Sequence, residues 1–234
     1  MKFAAPFLAL AVIAAATAPT DASAQRTGTR IGKTATKYDT NETMALVTAC
    51  MAERRNGISR EILSTLPGTD AEYRVMLRSE GPLGICMDDE RFVLDGKKLE
   101  FTGRALRPSL GVAVARQLIS ASNGAATVRA SDKPWFADAL DAVADGAELD
   151  TPLLALFEMG DCLVSRESTG AMELVMSEPG KGGQGPAMRK LIPHLSHCVV
   201  AGQEIEITPE VLRFAVAEPI VHRFQPVVEV GAKQ

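Results

Sequence analysis

Two segments of equal length carry the four cysteines of the chain and predict its fold. Residues 50–86 read CMAERRNGISREILSTLPGTDAEYRVMLRSEGPLGIC, and residues 162–198 read CLVSRESTGAMELVMSEPGKGGQGPAMRKLIPHLSHC. The cysteines of each segment lie 36 positions apart, and a shift of 112 positions aligns the segments without a gap. The positions that coincide are Cys50 with Cys162, Arg54 with Arg166, Glu61 with Glu173, Pro67-Gly68 with Pro179-Gly180, and Cys86 with Cys198. This self-similarity predicts a tandem duplication.

The similarity continues past each second cysteine once six residues are omitted from the second segment. Residues 99–101 then align with residues 205–207, and Arg107 aligns with Arg213. We therefore expect one copy of the module at residues 39–120 and a second at residues 151–225.

The cysteines predict one disulfide in each copy. Four cysteines allow three pairings, and we favour Cys50–Cys86 with Cys162–Cys198, because these two bonds close each copy by itself. Closing a ring of this length stabilises a fold by about 4 kcal/mol in the chain-entropy treatment. Paired cysteines are typical of proteins in oxidising compartments.

The periodicity of apolar residues predicts a mainly α-helical protein, in which two tandem helical modules are related by a pseudo-two-fold axis. Two short alternating segments, residues 99–101 and 205–207, predict strands that pair across this axis as a small β ribbon. The expected helix starts and stops are Asp39, Thr151-Pro152, Asn56-Gly57, Thr169-Gly170, Pro67-Gly68, Pro179-Gly180, Asp70, Pro186, Thr102 and Thr208. Pro108 and Pro219 are expected to kink or shorten the last helix of each copy.

The segments outside the copies have distinct compositions. Residues 1–24 are predicted to be a cleaved signal peptide, with a positive start, an apolar run and a small-residue site. Residues 25–38 form a basic tail without acidic residues, expected to be disordered. Residues 121–150 are a linker with a helix at about 134–145, and residues 226–234 are a tail expected to fray. The linker residues expected to pack over the junction are Trp135, Phe136, Leu140 and Val143.

The net charge and the predicted export of the chain limit the kinds of molecule that it is expected to bind. The formal net charge is -4, which gives no electrostatic reason to expect binding to nucleic acid. Beyond the signal peptide no segment is apolar and long enough to predict a transmembrane span. We therefore expect a soluble periplasmic or secreted protein.

Six charged residues that recur in both copies are the candidate ligand-binding residues: Arg54, Glu61, Arg107, Arg166, Glu173 and Arg213. In a binding interpretation they form two equivalent sites for an acidic or amphipathic ligand. In a structural interpretation, which we favour, they form internal Arg–Glu bridges that tie the first two helices of each copy to the last.

Other motifs give weaker indications of chemistry. His194 and His197 precede Cys198 and could together ligate zinc or copper, but a disulfide would occupy the sulfur. Residues 180–185 are rich in glycine, yet their order differs from that of a phosphate-binding loop. The chain contains no Gly-x-Ser-x-Gly and no CxxC motif, so we expect neither a cofactor nor a catalytic residue.

The two cysteine helices resemble known sequences. Together with a signal sequence, the stretches Ala49–Arg55 and Asp161–Glu167 resemble those of uncharacterised exported alphaproteobacterial proteins. That resemblance implies export and a duplicated helical module, without an activity.

These features predict a non-catalytic binding or structural module of the cell envelope, with an envelope protein or polymer as its partner. The alternatives are a hydrolase-type enzyme, with a junction site formed by Arg54, Glu61, Arg166, Glu173 and His222, and a metal carrier that uses His194 and His197. The basic tail is a further candidate for binding anionic lipid or cell-wall polymers.

Overall fold

The computed structural model describes residues 40–88, 103–122, 126–144, 146–178, 182–199 and 206–226. About 76% of these residues are helical, which confirms the predicted mainly α class. The helices are α1 (Thr40–Arg54), α2 (Asn56–Ser64), α3 (Asp70–Met87), α4 (Gly103–Ala121), α5 (Ala137–Asp141), α6 (Thr151–Arg166), α7 (Ser168–Met176), α8 (Gln184–Cys198) and α9 (Pro209–Arg223). The predictions for residues 1–39, for residues 99–102 and for most of the C-terminal tail lie outside the described residues.

Both predicted disulfides are present. Cys50 on α1 is bonded to Cys86 on α3, with their Cα atoms 5.7 Å apart. Cys162 on α6 is bonded to Cys198 on α8, with their Cα atoms 5.5 Å apart. Each disulfide therefore joins the first and third helices of its own half, where "first half" denotes residues 39–120 and "second half" residues 151–225.

Several of the helix-terminus predictions can be compared with the structure. The break predicted at Asn56-Gly57 was wrong, because it lies at Arg55 and both residues belong to the first turn of α2. Thr208 caps α9 as predicted, since its side chain accepts a hydrogen bond from the Val211 N–H. The cap of α6 is Asp150 rather than Thr151, and its carboxylate accepts from the Leu153 N–H. A side-chain acceptor at either cap satisfies a backbone donor that the helix itself leaves unpaired.

The predicted helix break at Thr169-Gly170 was wrong. The break lies at Glu167, whose carboxylate accepts from the Gly170 N–H at 2.9 Å, and Gly170 lies inside α7. A Cβ at Gly170 would lie 2.9 Å from the Cβ of Lys190 on α8. This glycine therefore permits close helix packing rather than ending a helix.

A small β ribbon is present, but Ile207 does not contribute to it, and residues 99–101 lie outside the described residues. Strand β1 (Ala126–Val128) pairs antiparallel with β2 (Phe224–Pro226), with Thr127 opposite Gln225. Ile207, from the predicted strand, has no regular secondary structure. The ribbon follows the last helix of each half instead of preceding it. Because α4 and α9 pack against each other, the segments that follow them lie close enough to pair.

The described residues bury three apolar clusters. The first cluster is built on α1 to α4, around Val47, Ile62 and Leu110. The second is built on α6 to α9 and includes residues of α4. The third joins Leu66 of the first half and Phe157 of the second half to linker residues.

The linker packs over the junction mostly as predicted. Phe136 is buried, and Trp135 and Val143 pack against the third cluster. The expectation for Leu140 was wrong, because this side chain is exposed. The linker helix is also shorter than predicted, since α5 covers only Ala137–Asp141.

Helices α6 and α9 make the closest helix crossing that the described glycines reveal. A Cβ at Gly160 of α6 would lie 1.9 Å from the carbonyl oxygen of Ala215 on α9. The absence of a side chain at Gly160 thus lets two backbones touch. The described helices include none with the combined length and apolarity that a membrane crossing requires.

Candidate functional site

The predicted bridges from Glu61 and Glu173 to the last helices do not form. Glu61 pairs with Arg78 of α3, and Glu173 pairs with Lys190 of α8, with 2.5 Å between Oε1 and Nζ. Both carboxylates are more than 40% exposed. The reason is helical geometry: the residues that follow them, such as Ile62 and Leu63, point into the core, so each glutamate points outwards.

Arg54 and Arg166 also lie on the outside of the molecule. Each occupies the last turn of the first helix of its half and is exposed. The structure therefore separates the six predicted ligand-binding residues into four surface residues and two buried arginines.

Arg107 is the centre of a buried polar network. Its side chain is fully buried, and it contacts Glu218 of α9 through both Nε and Nη2. Nη1 donates to Glu72 of α3 at 2.7 Å, and Nη2 donates to the carbonyl oxygen of Thr65 at 2.6 Å. The guanidinium also lies over the ring of Phe157, 6.0 Å from its centroid.

Charge and burial oppose each other at Arg107. Burial by itself would lower the pKa of the guanidinium, but Glu218 and then Glu72 outweigh it and raise the pKa. Arg107 therefore remains charged, and its ion pair with Glu218 is completely removed from solvent. Because Glu218 belongs to the second half, this pair joins the two halves.

Arg213, the residue aligned with Arg107, makes a corresponding set of backbone contacts. Arg107 Nη1 donates to the carbonyl oxygen of Ile62 at 3.2 Å, and Arg213 Nε donates to that of Leu174 at 3.1 Å. Ile62 and Leu174 are themselves aligned positions. Each arginine therefore caps the C-terminal turn of the second helix in its own half, where unpaired carbonyl oxygens favour a cation.

A second pair of contacts crosses between the halves. Arg116 of α4 donates from Nε to the carbonyl oxygen of Val175 on α7, at 2.7 Å. His222 of α9 places Nε2 3.0 Å from the carbonyl oxygen of Leu63 on α2. Arg116 aligns with His222, and Leu63 aligns with Val175. Each half thus contributes a side chain that closes a helix end of the other half.

His222 is held between an aromatic ring and two acidic groups. Its ring stacks on Trp135, with centroids 3.5 Å apart and planes 5° from parallel. Nε2 lies 3.9 Å from Glu218 Oε1, which is too long for a hydrogen bond. His222 also lies near Asp161, where a positive charge on the imidazole lowers the pKa of the Asp161 carboxyl. Among the described residues, no hydrogen bond joins His222 to a carboxylate.

A second buried ion pair lies in the second half alone. Arg223 of α9 contacts both carboxylate oxygens of Asp161 on α6 and donates to the carbonyl oxygen of Lys133 at 2.6 Å. Burial raises the pKa of Asp161, and Arg223 offsets this only in part. The sequence contains one indication that these charges are buried. Asp161, Glu218 and Arg223 lie on helices among apolar residues that form the core.

The proposed metal ligands are not assembled. The sulfur of Cys198 is in a disulfide, while His197 is exposed and His194 is half-buried on α8. Among the described residues no cluster of three or more His, Cys, Asp or Glu side chains has a metal-binding arrangement.

An open groove lies where the ends of the two last helices meet. It has a volume of about 330 Å³ and is lined by Arg60, Leu118, Ala121, Ser122, Val221 and Phe224. Val221 also packs against the apolar clusters of both halves. The lining is mostly apolar, with an exposed arginine at its rim.

Comparison of the chain with protein families, with curated proteins and with solved structures found no match.

Proposed function

We propose that this chain is an exported, non-catalytic binding module of the bacterial cell envelope, formed by duplication of a disulfide-closed helical unit. Its partner binds in the groove between the C-terminal ends of α4 and α9, at a surface to which both halves contribute. The groove is the observation that carries this proposal.

Corresponding helix bounds and contacts support the duplication. Helix α7 (Ser168–Met176) lies 112 positions after α2 (Asn56–Ser64) at both ends, the same shift that aligns the cysteines. The arginine caps supplied by Arg107 and Arg213 use aligned carbonyl groups. An accidental likeness between two helical segments would not be expected to match helix ends and buried polar contacts together.

Disulfide chemistry supports export. Both rings close through bonds between helices of the same half, and structural disulfides persist in oxidising compartments such as the periplasm. The N-terminal sequence, with its positive start, apolar run and Ala22-Ser23-Ala24 site, is consistent with this destination.

The distribution of charge supports binding in the groove rather than chemistry at the junction. The junction between the halves is filled by Arg107 and Glu218, whose side chains are completely buried. The groove instead presents apolar side chains to solvent, including those of Leu118 and Phe224. Apolar lining with few polar groups is the usual character of a binding site.

The lining indicates the kind of partner. Arg60 is exposed at the rim and donates from Nε to Asn56 Oδ1 at 2.6 Å. We infer that the occupant is a segment of an envelope protein with apolar side chains and one acidic residue that pairs with Arg60. An arginine binds carboxylates with defined geometry, since its donors are held in a rigid planar fork.

Site-specific photo-crosslinking in living cells tests this proposal. A photoreactive amino acid at Leu118, in the groove, should give a discrete adduct whose partner peptide contains an acidic residue. The same group at Ile192, an exposed apolar position on α8, is the matched control. Arg60→Glu should abolish the Leu118 adduct while leaving thermal unfolding unchanged, because Arg60 is exposed. Adducts that persist in Arg60→Glu, or that are the same at Ile192, would overturn the proposal.

A further inference from the structure

The first half holds one of its own carboxylates against the buried arginine. Glu72 lies in the first turn of α3, and its Oε1 accepts from Arg107 Nη1 at 2.7 Å. Its other oxygen, Oε2, accepts from the Gly68 N–H at 2.7 Å. The guanidinium, a turn amide and the start of a helix thus surround a single carboxylate, which keeps 14% of its side chain exposed.

The second half has the arginine but not the carboxylate. Position 184, which aligns with Glu72, is glutamine. Arg213 is only 3% exposed, and it donates from Nη2 to Ser177 Oγ at 3.1 Å as well as to the backbone of α7. Within the described part of the chain, no carboxylate forms a hydrogen bond or an ion pair with Arg213.

A second arginine converges on the same residue. Arg116 donates from Nη2 to the carbonyl oxygen of Ser177 at 2.7 Å, so two guanidinium groups contact Ser177. Burial lowers the pKa of Arg213, and the charge of Arg116 lowers it further, whereas Glu210 acts in the opposite direction. Burial also lowers the pKa of Arg116, and Glu178 offsets this only in part. The two arginines therefore repel each other, and an anion between them would relieve this repulsion.

The start of α8 lies beside the arginine pair. Gly183 is the N-cap of this helix and supplies no side-chain hydrogen bond. A Cβ at Gly183 would be 3.6 Å from the Cβ of Ser177, the residue that both arginines contact. A helix start offers unpaired N–H groups and a partial positive charge, both of which favour an anion.

We propose that Arg116, Arg213 and the first turn of α8 bind the carboxylate of an external ligand, at the position that Glu72 fills in the first half. The buried arginine supplies a fixed donor and the half-buried Arg116 a second one, while Gln184 is uncharged where the first half has the carboxylate of Glu72. Gly183 is exposed and Gln184 is half-buried, so the start of α8 meets solvent, where a ligand can approach. The inference uses the alignment of the two halves and does not depend on the groove.

Arginine side-chain NMR tests this site on the full mature protein. The ¹⁵N–¹H signals of Arg116 and Arg213 Nε are followed during titration with succinate and, separately, with a tetraglutamate peptide, against sodium chloride of equal ionic strength. Saturable shifts with succinate identify a small organic acid as a sufficient ligand. Saturable shifts with the peptide alone identify an acidic peptide. Absence of a saturable shift with either ligand overturns the proposal.

Two variants test whether the ligand carboxylate binds beside Gln184, the position that aligns with Glu72. Gln184→Glu restores an internal carboxylate, so it should shift the Arg213 signal without ligand and weaken ligand binding about tenfold or more. Arg60→Gln removes an exposed charge from the groove and should leave the titration unchanged. Wild-type affinity in Gln184→Glu, or an equal loss in Arg60→Gln, contradicts the assignment. If no ligand binds at this site, the proposal that a partner binds in the groove is unaffected, because the two proposals are tested at different residues.

Discussion

His222 Nε2 lies 3.0 Å from the carbonyl oxygen of Leu63, so the last helix of the second half closes a helix end in the first half. The aligned Arg116 makes the reverse contact, to the carbonyl oxygen of Val175. Together with the Arg107–Glu218 pair, these contacts add polar interactions with defined partners to the apolar contacts between the halves.

Replacing Glu218 by glutamine should strongly destabilise the protein. The change leaves Arg107 charged and fully buried without its main partner, which typically costs about 3–5 kcal/mol. Urea unfolding followed by circular dichroism measures the loss. A double variant, Arg107→Met with Glu218→Leu, should recover only part of it, because it removes the buried unpaired charge but leaves Glu72 and the Thr65 carbonyl without their donor. If the single and the double variant lose the same unfolding free energy, the unpaired charge of Arg107 is not the cause of the loss.

Replacing His222 by alanine should loosen the junction and expose one face of Trp135. The change removes the ring stacking and the contact with Leu63, at a cost of about 1–2 kcal/mol. Trp135 is the only tryptophan in the chain, so its emission should shift to longer wavelength. His194→Ala on α8 is the matched control and should leave the emission unchanged. An unaltered spectrum in His222→Ala would contradict the stacked arrangement.

Asp161 should make stability depend on pH. Burial raises its pKa in the folded protein despite Arg223, so the folded protein keeps this proton to a higher pH than the unfolded chain. The unfolding free energy should therefore fall as the pH rises from the ordinary carboxyl value, about 3.9, through the folded-state pKa. Urea titrations at a series of pH values measure this slope. Asp161→Asn should remove the Asp161 contribution, whereas the exposed Asp138→Asn should not.

Alanine at Gly160 should prevent normal packing of α6 on α9. Its Cβ would lie 1.9 Å from a backbone oxygen, and backbone cannot move aside as a flexible side chain can. We expect a loss of about 3 kcal/mol or more, at the upper end of the range for overpacking. Gly111→Ala is the control, because its Cβ would make an ordinary contact of 3.6 Å with Glu218. That variant should be neutral, or gain up to about 1 kcal/mol of helix propensity, and differential scanning calorimetry of both distinguishes the outcomes.

Much of the fold follows from local patterns in the sequence. Helix class, the Thr208 cap and both disulfides were predictable because they depend on short-range spacing and on the shift of 112 positions. The ribbon was misplaced at Ile207 because strand pairing depends on where α4 and α9 bring their ends, and local alternation of apolar and polar residues does not encode this. Gly170 was misread as a helix breaker because its role comes from the neighbouring α8.

The polar network was only half predictable. Self-comparison identified Arg107 and Arg213, since they recur, but it could not identify Glu218, Asp161 or Arg223, which have no charged counterparts of the same sign in the other half. It also paired the arginines with the wrong glutamates. Recurrence shows only that the same residue type stands at two aligned positions, and tertiary contacts alone show which partner each residue has.

The central claim is that each half closes its own covalent ring. Digestion with trypsin under non-reducing conditions, followed by mass spectrometry, tests it directly, because cleavage sites such as Arg60, Arg78, Arg166 and Arg189 lie between the paired cysteines. The account predicts that the peptide with Cys50 remains linked to the peptide with Cys86, and that with Cys162 to that with Cys198. A link between Cys50 and Cys162, or four free thiols, would contradict it.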